Sequence, residues 1–267
     1  MLVFPNAKIN LGLYITEKRA DGFHNLQTCF YPVHWLDALE IIEAPAFQFS
    51  SSGGEIPGNE EENLCVKVYT TLKERFSIPP VHIHLHKNIP IGAGLGGGSA
   101  DAAFTVTALN KKFLLQLTDS EMEDIVRPLG SDCAFFIKNK PILAGGKGDE
   151  FELTDISLKG YYIVLVYPAM GVSTKRAYSG VTPKKPMFRL KDILKQDISH
   201  WRDTLVNDFE KFVFNNYPEL ATIKRQLYEA GAIYASMSGS GSCIYGIFDK
   251  PADLAFPEHY RVWQEEL

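Results

Sequence analysis

Five of the seven residues from 92 to 98 are glycine in Pro90-Ile91-Gly92-Ala93-Gly94-Leu95-Gly96-Gly97-Gly98-Ser99-Ala100-Asp101. An alternating segment, Val81 to His86, runs into this stretch, and Ala102, Ala103, Val106 and Leu109 follow it on one face of a helix. A strand therefore feeds a helix through a backbone with few Cβ atoms. Glycine reaches left-handed conformations at little cost, so successive N–H groups can converge on one anion, and the helix N-terminus adds the positive end of its dipole. A plain strand-to-helix turn needs only one or two glycines. The segment reads as a phosphate cradle.

Gly92, Gly94 and Gly97 also spell the dinucleotide pattern G-x-G-x-x-G. That fold wants an acidic residue at a strand end about 20 residues further on. Here Lys111 to Leu117 leads into Thr118-Asp119-Ser120-Glu121, a capping box that opens a second helix to about Pro128, so the acid falls at a helix start. No Gly-Lys-Ser/Thr closes the loop, which excludes a Walker A sequence. The loop by itself specifies phosphate and leaves the nucleotide open.

At 267 residues the chain exceeds what one compact core comfortably holds, and the polar stretch from Asp149 to Lys159 is the expected division between two domains. Hydrophobic residues at 45% and charged residues at 22% exclude a disordered chain or a coiled coil. The net charge of -5 is interspersed, so no nucleic acid or membrane partner is expected. Cys29, Cys65, Cys133 and Cys243 form no C-x-x-C pair and read as reduced, packed thiols. The start, Met1 to Lys8, has no leader pattern and no run of about 18 apolar residues occurs, so a cytoplasmic location is expected. Oligomeric state is left open.

Lys8 to Thr16 alternates as a half-buried strand, and Asp21-Gly22 turns it into a second strand, Asn25 to Val33. Ala38 to Ile42 reads as a third. Phe47 to Glu62 reads as an exposed loop, Asn63 to Phe76 as a helix, Ala134 to Ile137 and Tyr161 to Val166 as strands, and Leu205 to Glu229 as helical. A second Ser/Gly loop, Ser236 to Ser242, precedes a strand at Cys243 to Phe248. Strands and helices mix without strict alternation, which favours α+β over a parallel α/β sheet.

Five segments taken together resemble the GHMP kinase superfamily, which includes galactokinase, homoserine kinase, mevalonate kinase and phosphomevalonate kinase. They are Pro5 to Leu11, Lys18 to Thr28, Gly94 to Ala103, Leu129 to Phe136 and Ser238 to Gly241, in the family's order and across nearly the whole chain. The Lys-Asn strand and the Arg-x-Asp-Gly-aromatic-His turn narrow the likeness to members acting on a cytidine-tagged polyol. The turn carries Phe23 where tyrosine is usual, and the C-terminal half is slightly short.

The resemblance implies a two-domain α+β fold: residues 1–153 as an ATP-binding domain like domain 2 of ribosomal protein S5, and residues 154–267 as an α+β sandwich, with the active site in the cleft between them. It implies ATP and Mg²⁺, and a small-molecule substrate carrying a cytidine diphosphate group. ATP is expected on Pro90, Ile91, Gly92, Ala93, Gly94, Leu95, Gly96, Gly97, Gly98, Ser99, Ala100 and Asp101, with Asn63 and Leu64 on the adenine side. Ser99 and Asp101 read in any case as helix-opening caps, and the resemblance adds a phosphate or magnesium contact. No side chain is singled out as a metal ligand.

Asp132, after Gly130-Ser131, is read by resemblance as the base that takes the hydroxyl proton, and Lys8 as its charge partner. Spacing alone also fits an ordinary turn aspartate and a solvated strand lysine. Asn10 is expected to orient substrate, Phe23 and His24 to hold the cytosine, and Tyr178 to supply an opposing ring. His82, His84 and His86 share one strand face, which fits either a metal or a solvated polar row.

Overall fold

The computed structural model describes residues 1–267. Strands β1 (Leu2–Val3), β2 (Asn6–Lys18), β3 (His24–Leu36), β4 (Ala38–Glu43) and β5 (Gln48–Gly53) precede helix α1 (Leu64–Phe76) and strand β6 (Val81–Lys87). Helices α2 (Gly97–Phe113), α3 (Asp119–Val126) and α4 (Phe135–Lys138) lead to β7 (Ile142–Gly145), β8 (Glu150–Leu153) and β9 (Tyr162–Tyr167). Then come α5 (Thr174–Ser179), α6 (Leu190–Leu194), α7 (Trp201–Thr204), α8 (Glu210–Asn216) and α9 (Pro218–Glu229), and the strands β10 (Tyr234–Met237), β11 (Ile244–Phe248) and β12 (Arg261–Glu266). No helix is long and apolar enough to cross a membrane.

Tertiary contact groups the chain into two compact units, each drawn from several segments. The first holds Met1–Lys8, His34–Ile91 and Gly96–Lys140; the second holds Ile9–Val33, Gly92–Leu95 and Pro141–Leu267.

In the first unit a sheet of order β1-β4-β6-β5 carries β4 and β6 antiparallel and β5 and β6 parallel. Leu39, Ile41, Val81, Ile83 and Leu85 point from it into a core shared with α1, α2 and α3, and each such buried aliphatic contributes about 1.5–3 kcal/mol. Val106 and Leu109 of α2 are fully buried there, as the helical spacing requires. Helix α3 begins with the expected box: Thr118 accepts from the Glu121 amide, and the Glu121 carboxylate accepts from that of Thr118.

Strand β5 lies where a loop was expected. Ser50, Ser51 and Ser52 have little intrinsic strand preference, but pairing with β6 supplies it, and Phe49 packs on the core. The outer histidines of β6 are taken up by these serines: Ser50 Oγ lies 2.7 Å from His82 Nε2 and 2.8 Å from His84 Nδ1, and Ser52 Oγ lies 3.0 Å from His84 Nε2 and 2.9 Å from His86 Nδ1. Nowhere do three or more His, Cys, Asp or Glu side chains gather as a metal site. The strand expected at Ala134 to Ile137 is a helical turn, α4, closed by the Asn139 amide on the Phe135 carbonyl at 2.9 Å, and it buries Phe135 and Phe136 together.

The second unit contains the sheet β10-β11-β9-β12, whose strands run antiparallel, and the longer part of β2-β3-β7-β8. Leu13, Ile15, Val164, Phe209, Leu220 and Ile244 belong to one core. The helical stretch near 205–229 is two helices, α8 and α9, with Pro218 at the first position of the second, where its missing N–H costs nothing. Strand β2 is buried on both faces from Asn6 to Ile15, which corrects the half-buried expectation and makes its polar residues internal.

Candidate active site

The first unit gathers the residues capable of chemistry. Lys8 Nζ stands 3.2 Å from Asp132 Oδ2, with the lysine side chain 3% exposed and the carboxylate 29% exposed. The ammonium is thus fixed inside the protein while the carboxylate still reaches solvent or a ligand. Asp132 occupies a tight turn, closed by the Cys133 amide on the Gly130 carbonyl at 3.1 Å, between a 3₁₀ turn at Arg127–Leu129 and α4. This is a rigid loop-to-helix junction in place of the expected loop-to-strand one.

The end of the glycine loop lies against the same pair. Gly96 is in the left-handed region, φ 72°, and a Cβ there would stand 3.1 Å from Lys8 Cε and 3.0 Å from the Phe136 ring. Gly96 is the residue ahead of α2, and the Ala100 amide bonds back to its carbonyl at 2.9 Å. The amides of Gly97, Gly98 and Ser99 therefore open the helix without partners in it. Ser99 lies beside the Asp132 turn, its Oγ 3.5 Å from where a Cβ on Gly130 would stand. Lys8, Asp132, the Gly96 bend and the first turn of α2 form one constellation: helix-opening amides of the kind an anion can meet, with a lysine–carboxylate pair beside them.

Asp101 differs from its expected place. It is the fifth residue of α2, buried, and its Oδ2 is 2.7 Å from Lys87 Nζ, which also contacts Asp37. Neither Ser99 nor Asp101 caps the helix, because Gly96 holds that position without a side chain. Burial pushes the Asp101 carboxyl up to about 7, with the Asp37 charge adding and Lys87 opposing. Asn63 caps α1 by accepting from the Cys65 amide at 2.9 Å, and Leu64 packs on the core beside it.

In the second unit, Gly92 and Gly94 have φ of 70° and 78°. A Cβ on Gly94 would stand 2.0 Å from the Ser238 carbonyl oxygen, while Ser238 Oγ donates to the Gly94 carbonyl at 2.8 Å. This ties the glycine loop to the second Ser/Gly loop, which Asn207 Nδ2 holds in turn through the Met237 and Gly239 carbonyls, both at 2.8 Å. Gly94→Ala should destabilise the protein by about 1–3 kcal/mol, since both the dihedral and the contact resist a side chain. Chemical denaturation checks this; an unchanged midpoint would mean that the two loops are not packed this closely.

The buried Asn10 amide donates to Thr28 Oγ1 at 2.9 Å, and Thr28 donates to the Gly12 carbonyl at 2.6 Å. The hairpin turn is locked by Arg19 on Asp21, and Asp21 Oδ1 accepts the Phe23 amide at 3.1 Å. Phe23 is 56% exposed, with Lys147 Nζ 5.2 Å from its ring centre. Tyr178 is stacked on His24, with centroids 4.9 Å apart and planes at 25°, and is held edge-on by Phe209. Desolvation, aided by Lys18, lowers the His24 pKa, which keeps the ring neutral and able to both donate and accept.

Two residues escaped the sequence reading, Lys87 and Asp37. The signal was present: Lys87 continues the inward register of Val81, Ile83 and Leu85, and a lysine on a core face requires a buried partner.

The family models for the GHMP kinase N-terminal domain and the GHMP kinase C-terminal domain match residues 63–140 and 190–256. A relative from Cytophaga hutchinsonii, named 4-diphosphocytidyl-2-C-methyl-D-erythritol kinase, is 58% identical over 250 residues, covering 93% of each chain. This chain belongs to that kinase family. A second member, from Bacteroides fragilis, is 54% identical over 93% of this chain and 92% of its own. A crystal structure described as 4-(cytidine 5'-diphospho)-2C-methyl-D-erythritol kinase matches with a TM-score of 0.81 at 28% identity, covering 99% of this chain and 98% of that one. The fold also extends to the Methanococcus jannaschii mevalonate kinase, with a TM-score of 0.70 at 14% identity and coverage of 99% and 97%. The α+β, two-domain GHMP kinase fold expected from the motifs is the observed one.

Proposed function

We propose that the chain transfers the γ-phosphoryl group of ATP to the 2-hydroxyl of 4-diphosphocytidyl-2-C-methyl-D-erythritol, in non-mevalonate isoprenoid precursor synthesis. The observation that carries the reading is the Lys8–Asp132 pair at 3.2 Å beside the Gly96 bend of the glycine loop, in a chain of this kinase family. A pure binder has no need of a base next to a phosphate site.

Asp132 removes the proton of the attacking hydroxyl. The freed oxygen bonds to the γ-phosphorus, the bond from that phosphorus to the bridging oxygen breaks, and ADP leaves with the electron pair. Lys8, buried beside Asp132, offsets the negative charge on the substrate oxygen and the transferred group, and the amides of Gly97, Gly98 and Ser99 hold the phosphates. Magnesium would be met at this site by the Ser99 hydroxyl in the first turn of α2, beside the partly exposed Asp132 carboxylate. When bound, the ion neutralises phosphate charge. Asn10, fixed through Thr28, orients the acceptor. Phe23 offers a ring face to the cytosine and His24 its polar edge, with Tyr178 holding the imidazole in place.

The reading is tested by ADP release with a panel of acceptors: the cytidine diphosphate polyol, mevalonate, homoserine and galactose. Turnover is expected with the first alone. Turnover of mevalonate without the cytidine compound would overturn the assignment.

A further inference from the structure

Behind the glycine loop lie three buried titratable side chains that the transfer reaction does not use. Lys87 ends β6, and Asp101 stands one turn inside α2; their Nζ–Oδ2 distance is 2.7 Å, and the same ammonium contacts Asp37. The other Asp37 oxygen accepts the amides of Asn88 at 2.6 Å and Ile89 at 2.7 Å. Asp37 thus fixes where the chain leaves the strand, and Lys87 carries that reference across to the helix. The side chains of the three are 0–4% exposed, so water does not loosen the linkage. The ammonium sits close under the opening of α2: a Cβ on Gly97 would stand 3.2 Å from Lys87 Nζ and 3.0 Å from Ile89 Cγ2. Only a residue without a side chain lets the helix start so near the strand end.

We infer that Asp37, Lys87 and Asp101 are positioning residues for the nucleotide, setting the distance between the end of β6 and the first-turn amides of α2 that receive the phosphates. The inference rests on the kinase reading above and adds to it a set of groups that touch neither substrate. A brace with a purely structural role would change stability alone. A positioning brace changes how well phosphate is held, and it does so before chemistry begins. Its removal therefore weakens ground-state and transition-state binding of ATP alike, which appears in KM and not in kcat.

Asp101→Leu keeps the branching at Cγ, removes the carboxylate and leaves Lys87 paired with Asp37. It is expected to raise KM for ATP roughly tenfold, with kcat and the KM for the cytidine acceptor within about twofold. Asp101→Asn, whose amide oxygen still accepts from Lys87, should return KM for ATP to within about threefold of wild type. Should the leucine variant fail to fold by far-UV circular dichroism, Asp101→Ala, which removes the same carboxylate with a smaller side chain, should show the same selective rise.

Calorimetric binding of a non-hydrolysable ATP analogue, without acceptor, separates this idea from the reading beneath it. Weaker analogue binding by the variants supports the brace even if the wild type phosphorylates no cytidine compound. Equal binding by wild type and variants, or a loss confined to kcat, overturns it.

Discussion

Asp132→Asn should lower kcat by roughly 10²–10⁴-fold, the usual contribution of a positioned general base, with KM for ATP little changed. Asparagine has nearly the shape of aspartate, so the turn between the 3₁₀ segment and α4 is retained and the phosphate amides stay in place. What is lost is a proton acceptor with one partly open carboxylate, held 3.2 Å from a buried ammonium. The measurement is steady-state ADP release at saturating ATP and acceptor. Undiminished turnover would remove Asp132 from the mechanism as its base.

Lys87→Met should lower stability by about 3–5 kcal/mol, because it strips the cation from a site holding two carboxylates. Asp37 would keep its two backbone donors, but Asp101 would lose its cation, and one of its oxygens already lacks a hydrogen-bond partner. Thermal unfolding reads this as a fall on the order of 10 °C for a protein of this size. The double variant Lys87→Met/Asp101→Leu should recover part of the loss by removing the stranded charge. A single-variant loss below about 1 kcal/mol would mean that packing, not charge, holds this junction.

Much of the backbone that frames the candidate site was legible because its signals are local. Five clustered glycines, the Asp-Gly turn and the Thr118–Glu121 box each act through neighbouring backbone, and each stands where the residues indicated. The errors came where distant partners decide. Ser50 to Ser52 form a strand only because β6 lies alongside, and the three histidines, which fitted either a metal or a solvated row, are partnered by Ser50 and Ser52. Phe135 and Phe136 favour a strand locally but are buried together, which a helical turn allows. Asp101 looked like a cap from its neighbours, whereas its partner lies before the loop and that partner's partner much earlier in the chain.

The interleaving of the two units sets an order for synthesis. Residues 9–33 are translated early, yet they belong with residues 141–267, and the strand β7 that pairs Phe30 with Ile142 emerges only after the first unit's last segment. The first unit can close once Lys140 has been made, whereas the second must wait for the C-terminus with its N-terminal hairpin unsatisfied. Closing so long a loop costs entropy and time. On the ribosome this kinase exposes an apolar hairpin for most of translation, so a chain arrested before Pro141 is a natural client for chaperones.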